Sequence, residues 1–276
     1  MLPPLVSNPC MSEQVTPSVL TPQTPPRLPR QVYVVTGTDT DVGKTQVCAA
    51  LLARAAEQGY RCFGVKPVTA GCQQQADGTW ISSDAEQLAA VSNVALHADL
   101  QAPIRLPLPV SPHLAAQAAG VTLNVNRIVG LIRGALSTPA SHVLIEGAGG
   151  WRVPINDRET LADVARLLGQ PVILVVGIRL GCLNHALLTA EAIVRDGLVL
   201  AGWVANIVDP DGRLLDAQID TLRRYLSAPC LGVLPYAATA DAVARGRLLR
   251  WPQEPVLTAA LAVSTPAKAT SVDVIV

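Results

Sequence analysis

One run of ten residues, Thr36-Gly37-Thr38-Asp39-Thr40-Asp41-Val42-Gly43-Lys44-Thr45, concentrates more chemistry than any other stretch of this chain. A glycine-bearing loop that ends in Gly-Lys-Thr, is entered from the apolar run Val32 to Val35 and leads into a helical pattern is the setting of a phosphate-binding P-loop. Its backbone N–H groups and the positive end of the following helix would wrap a β-phosphate, with Lys44 reaching the β and γ oxygens. Thr45 offers a hydroxyl to magnesium. Five residues rather than four separate Gly37 from Gly43, one more than the common spacing.

Four more polar residues stand where apolar runs end or helices begin. Lys66 closes the run from Cys62, so a parallel sheet would aim it at the P-loop mouth; the competing reading is a surface lysine whose stem lies on apolar neighbours. Glu146 ends the run from His142 and precedes Gly147-Ala148-Gly149-Gly150, a flexible turn able to bring backbone amides to a nucleotide. A carboxylate buried there is costly without a compensating cation. Asp84, in Ser82-Ser83-Asp84, is either a helix N-cap or a metal ligand. Magnesium takes hard oxygen ligands, and Thr45, Asp84 and Glu146 are the available set. Asn206 carries an amide suited to the edge of adenine, or else merely ends its strand before Asp209-Pro210-Asp211-Gly212. Gly181-Cys182-Leu183-Asn184 opens a helix whose free N–H groups suit an anion. Cys182, His113 and His185 are read as packing or surface groups rather than catalysts.

These residues need a scaffold, and the pattern supplies one: short β-branched runs alternating with ten or more residues of helical period. Strands are expected at 32–36, 62–66, 142–146, 172–176, 200–206 and 231–234, and helices at 44–57, 84–91, 125–136, 160–168, 184–195 and 214–226. Most of the strands are continuously apolar, as parallel strands covered on both faces are. Gly59, Gly169 and Gly197 fall just past three helices, where a left-handed residue is wanted. The expected fold is a three-layer α/β P-loop NTPase fold, a mainly parallel sheet flanked by helices, with its ligand site at the carboxyl ends of the strands.

Composition excludes several classes. The 21 basic residues cancel the 21 acidic ones and no Lys/Arg run occurs, so neither nucleic acid nor an anionic membrane is an expected partner. The six cysteines form no C-x-x-C pair, which suits buried thiols in the cytoplasm. Apolar runs such as 171–178 are far shorter than the roughly 20 residues that span a bilayer. Residues 1–30, with eight prolines and no apolar period, are expected to be a disordered leader. The catalytic domain is placed at 31–252, with a tail of unreadable structure at 253–276.

The P-loop, extra residue included, resembles that of dethiobiotin synthetases. Val-Lys-Pro-Val (65–68), Ser-Pro-His (111–113), Glu-Gly-Ala-Gly-Gly-Trp (146–151), 171–177, Leu-Gly-Cys-Leu-Asn-His-Ala (180–186) and Ala-Gly-Trp-Val-Ala-Asn (201–206) are similar to that family's blocks, in the same order. The resemblance spans roughly residues 31–240. It implies an ATP- and magnesium-dependent enzyme that takes 7,8-diaminopelargonic acid and carbon dioxide through a carbamate to dethiobiotin. It places Lys66 on the carbamate and phosphate beside Lys44, and tips Asp84 toward the metal. Asp41, Val42, Gly43, Lys44, Thr45, Gln46, Glu146, Gly147, Ala148 and Gly149 would surround the phosphates, and Asn206, Ile207, Pro235, Tyr236 and Ala237 the base. The substrate would meet Lys66, Thr69, Ala70 and, from the second subunit of a homodimer, Gly181, Cys182 and Asn184. Two departures are Asp41, where many members carry glutamate, and Ala70, where some present a hydroxyl. Two other P-loop classes remain as alternatives. Partition-type switch ATPases carry a signature lysine where this chain has Asp39, and cobyrinate-type amide synthases usually add a glutaminase domain.

Overall fold

The computed structural model describes residues 30–236 and 241–253. The expectations for the leader up to residue 29, for Ala237 and for the tail beyond Gln253 fall outside the described residues. β1 (Gln31–Gly37) runs through the loop into α1 (Lys44–Glu57) and β2 (Cys62–Val65). An insertion follows: β3 (Val68–Ala70), a hairpin of β4 (Gln73–Gln74) and β5 (Trp80–Ile81), α2 (Ser83–Val91), α3 (Ala98–Gln101), β6 (Ile104–Leu106) and α4 (Pro112–Ala118). The chain then alternates through α5 (Val125–Leu136), β7 (His142–Glu146), α6 (Leu161–Leu168), β8 (Val172–Ile178), α7 (Cys182–Arg195), β9 (Leu200–Ile207), α8 (Leu215–Tyr225), β10 (Cys230–Leu234) and α9 (Ala242–Gly246).

Six strands form one wholly parallel sheet in the order β10-β9-β8-β1-β7-β2. Both faces are apolar, and alternate residues divide between them, which explains the continuous apolar runs. Val35, Leu144, Ile173 and Val175 pack on Val47 and Leu51 of α1. Val34 and Ile145 turn to the opposite face, against Ile128 and Ile132 of α5 and Ala165 of α6. On that face Leu174, Val176 and Trp203 meet α7 and α8. The three-layer fold is therefore the one expected. Because β1 lies between β7 and β8, the loop after it emerges where the strand order reverses, the usual position of a ligand crevice.

The helix-ending glycines behave as their positions imply, with φ of 80° at Gly59, 67° at Gly169 and 81° at Gly197. α7 begins two residues earlier than its periodicity suggests, because Gly181 at φ 92° supplies a left-handed start. Of the insertion, α2 was expected at 84–91; its other elements and α9 escaped the sequence reading, being two to seven residues long and too short for a period to register. Among the described residues no helix is long and apolar enough to cross a membrane.

Candidate active site

The P-loop is set by two left-handed residues, Asp41 (φ 57°) and Gly43 (φ 84°). Gly43 is required twice over. Beyond its dihedral, a Cβ there would lie 2.1 Å from Asn206 Nδ2. Asn206, at the end of β9, donates from Nδ2 to the Val42 carbonyl at 2.9 Å. The amide expected to read a base thus also props the loop from beneath. The Val42 side chain is buried between Gly37 and Gly177, where added Cβ atoms would fall 2.6 and 2.8 Å from its methyls. Above them Lys44 Nζ donates to the Asp39 carbonyl at 2.9 Å. The Asp39 carboxylate accepts in turn from Arg179 Nη2 at 2.6 Å, linking the P-loop to the end of β8.

Parallel strands bring the other charges to the same edge. Lys66 follows β2 and Glu146 ends β7, its neighbour in the sheet, so the two side chains meet: Lys66 Nζ donates to Glu146 Oε1 at 2.8 Å. The Thr45 hydroxyl donates to the same oxygen at 2.7 Å. Lys66 also pairs with the Asp84 carboxylate, so one ammonium bridges two acidic groups. Burial alone would lower the Lys66 pKa, but Glu146 and Asp84 outweigh it and hold the value above the ordinary lysine one. Lys44 moves the other way: burial lowers it, the Lys66 charge adds to the effect, and Glu146 opposes it. The surface-lysine reading of Lys66 fails, since only 6% of it is exposed. Asp84 is not the helix cap, because Ser82 caps α2 by accepting from the Ala85 N–H.

Lys44, Lys66, Thr45, Asp84 and Glu146 line a single cavity of about 740 Å³, together with Asp41, Gly43, Gln46, Ala148 and Gly149. Ala70 lines it as well. Thr69 does not: it points inward from β3, fully buried, and its hydroxyl donates to the Ile104 carbonyl at 3.1 Å. The hydroxyl expected beside the substrate is therefore spent on holding β3 to β6. Gly147 is held to β1 by its N–H on the Val35 carbonyl at 2.9 Å. Asn206, Ile207, Pro235 and Tyr236 lie outside the lining of this cavity, with Pro235 and Tyr236 exposed at the end of β10. Gly181 and Asn184 are exposed and also outside it, and the Cys182 thiol is turned inward to Gln218 Oε1 at 3.1 Å.

Several cavity or loop residues were not singled out from sequence, Gln87, Ser111, Asp39 and Arg179 among them. Gln87 lines the cavity three positions after Asp84, one turn along the same helix face, and that spacing was the available signal. Ser111 lines it within the Ser-Pro-His block and meets His113 Nδ1 at 3.0 Å. The Asp39–Arg179 pair joins residues 140 positions apart and had no local signature.

A family model described as an AAA domain matches residues 31–244. Among solved structures, the septum site-determining protein MinD of Pyrococcus horikoshii, complexed with Mg-ADP, aligns with a TM-score of 0.50 and 20% identity, over 79% of this chain and 86% of that one. That likeness shows the fold alone. Sequence relatives go further. The ATP-dependent dethiobiotin synthetase BioD of Pseudomonas paraeruginosa is 50% identical over 212 residues, 77% of this chain and 92% of the relative. The protein of the same name from Cellvibrio japonicus is 47% identical over 213 residues, again 77% and 92%. With nearly the whole length of these enzymes matched and the P-loop, Lys66 and Glu146 gathered at one sheet edge, the chain belongs to the dethiobiotin synthetase family.

Proposed function

We propose that this chain closes the ureido ring of dethiobiotin, an ATP-dependent carbon–nitrogen ligation in biotin biosynthesis, from 7,8-diaminopelargonic acid, carbon dioxide and ATP. The observation that carries the reading is the convergence of Lys44, Lys66, Asp84 and Glu146 on one cavity in a chain half identical to such synthetases. One substrate amine adds to the carbon of carbon dioxide; a C–O π pair becomes carboxylate charge and the nitrogen loses its proton to solvent. A carbamate oxygen then takes the γ-phosphoryl group, releasing ADP. The second amine attacks the activated carbonyl, phosphate leaves with the C–O bonding pair, and the remaining proton passes to solvent.

The obstacle is the approach of two anions, carbamate and γ-phosphate, which needs cations fixed in advance. Lys66 is fixed by its two carboxylates and sits where it can touch both reacting groups. Lys44 donates to a backbone carbonyl, that of Asp39, which it can exchange for the β and γ oxygens. The residues fit a magnesium ion: Thr45, Asp84 and Glu146 would hold it, and Glu146 Oε2 is buried without a hydrogen-bond partner. When bound, that ion supplies positive charge to the β and γ oxygens. Asp41, Val42, Gln46, Ala148 and Gly149 close around the phosphates, and the Asn206 carbonyl with Ile207, Pro235 and Tyr236 serves the base.

The turn Gly181–Asn184 serves the substrate of a second copy. It lies outside the lining of its own cavity, and α7 with its preceding turn exposes Leu180 (95%), Leu188 (57%) and Val194 (58%), apolar surface that a homodimer would cover. The buried free cysteines suit a cytoplasmic enzyme. With purified protein, ADP release should depend on diaminopelargonate and bicarbonate together, and labelled bicarbonate should appear in dethiobiotin by mass spectrometry. ATP turnover that ignores both would overturn the reading in favour of a switch ATPase.

A further inference from the structure

A second, smaller cavity lies behind the active-site wall. It has a volume of about 40 Å³ and is walled by Ile128 and Ile132 of α5, Ile145 of β7, and Val164 and Ala165 of α6. All five residues are buried. Glu146 and Ala148 line both this cavity and the large one, so the two share a wall at the place where carbamate and phosphate would meet. The polar side chains around the small cavity are few. Trp151 has its Nε1 committed to Asp196 at 2.7 Å, and Thr36 and Glu146 supply the remaining polar side chains.

Size and polarity together narrow the guest. Roughly 10 to 15 Å³ admits one water, so water would fit, but a buried water needs two to four polar partners, and beside the committed Trp151 only Thr36 and Glu146 offer side-chain ones on an otherwise aliphatic lining. The substrate's heptanoate chain is too large for it, the volume being well short of the roughly 150 Å³ of an engineered cavity that takes up benzene. A linear triatomic with no dipole and no need of donors matches both the size and the lining. We propose that this cavity is the holding site for carbon dioxide, from which the gas passes by Ala148 and Glu146 to the substrate amine. The proposal rests on the reading of the chain as a carbon dioxide-consuming synthetase. Its physical advantage is concentration without hydration: an apolar guest is drawn from water into a dry pocket beside the nucleophile, while anionic bicarbonate is kept out.

The test has a structural arm and a kinetic arm. Crystals of the full chain pressurised with xenon should show the gas between α5 and α6, and V164I, which adds one carbon to the wall, or A165V, which adds two, should abolish that peak. In assays held at carbon dioxide–bicarbonate equilibrium by carbonic anhydrase, the same variants should raise KM for carbon dioxide about tenfold, the usual discrimination for one methylene in an apolar pocket, with KM for ATP unchanged. Absence of xenon from the wild-type cavity overturns the proposal even if neither variant folds. So does a variant that excludes xenon yet keeps the wild-type KM for carbon dioxide. If the wild type makes no dethiobiotin at all, the functional reading fails and the assigned guest fails with it; if product forms and KM stays put, only the holding site is lost.

Discussion

Lys44 and Lys66 enter one cavity from either side of β7 and are buried alike, 7% and 6% exposed, yet the protein treats their charges in opposite ways. The P-loop lysine is held by a backbone carbonyl, and burial pushes its pKa below the ordinary value of 10.5. The β2 lysine lies between two carboxylates, and its value is pushed above 10.5 despite comparable burial. The first is short of negative charge and gains most from an arriving polyphosphate. The second is already compensated by Glu146 and Asp84. A site that brought a second anion to a bound nucleotide would use both kinds of cation, one short of counter-charge and one already paired.

The largest effect that tests this contrast is on turnover. Lys66→Ala should lower kcat by about 10² to 10³, the scale seen when a fixed transition-state donor is removed, and leave ATP affinity close to the wild-type value. Steady-state kinetics with a separate ATP-binding titration would check it. A loss of ATP affinity as large as the loss of kcat would make Lys66 a nucleotide ligand of the same kind as Lys44, and the contrast would disappear.

A smaller effect appears in stability against pH. The raised Lys66 value means that the folded protein holds this proton more tightly than the unfolded chain. Its stabilising contribution is complete below pH 10.5 and is lost as pH climbs through the higher folded value. Lys44 is depressed, so the folded state sheds its proton first and stability gains with pH between the folded value and 10.5. In denaturant unfolding across the alkaline range, the stability difference between wild type and Lys66→Met should shrink above pH 10.5. The difference between wild type and Lys44→Met should shift in favour of wild type as 10.5 is approached from below. Movement of both differences in the same direction would refute the opposite assignments.

Much of this arrangement was written in local pattern. The Gly-Lys-Thr after an apolar strand, and the polar residues that end the runs at 62–65 and 142–146, place Lys44, Lys66 and Glu146 at one sheet edge as soon as the strands are taken as parallel. What pattern does not encode is the partner across the fold. Thr69 lies in a three-residue strand whose mate, β6, comes 35 positions later, so its inward turn had no period to announce it. Asn206 reads as a base-recognition amide, and its support of Val42 depends on an approach to Gly43 so close that no Cβ fits. The C-terminal return was equally silent: α9 is five residues long, and Trp251 packs edge-on against His142 at the start of β7, with ring centroids 4.6 Å apart, and beside Tyr33 of β1.

The smallest effect concerns the segment that supplies the second partner of Lys66. From sequence, Asp84 served equally as a helix cap or as a site carboxylate, whereas the folded chain divides the work: Ser82 accepts from the Ala85 N–H at 3.4 Å and Asp84 is left to pair with Lys66. A cap contact of that length lies toward the weak end of its kind. Ser82→Ala should therefore cost about 1 kcal/mol or less in thermal or denaturant unfolding and leave kcat nearly intact. If Ser82→Ala instead removed activity as thoroughly as loss of Lys66, α2 would be placing Asp84 through that one cap. The rigidity credited to the Lys66 half of the site would then reside in the helix start rather than in the two carboxylates.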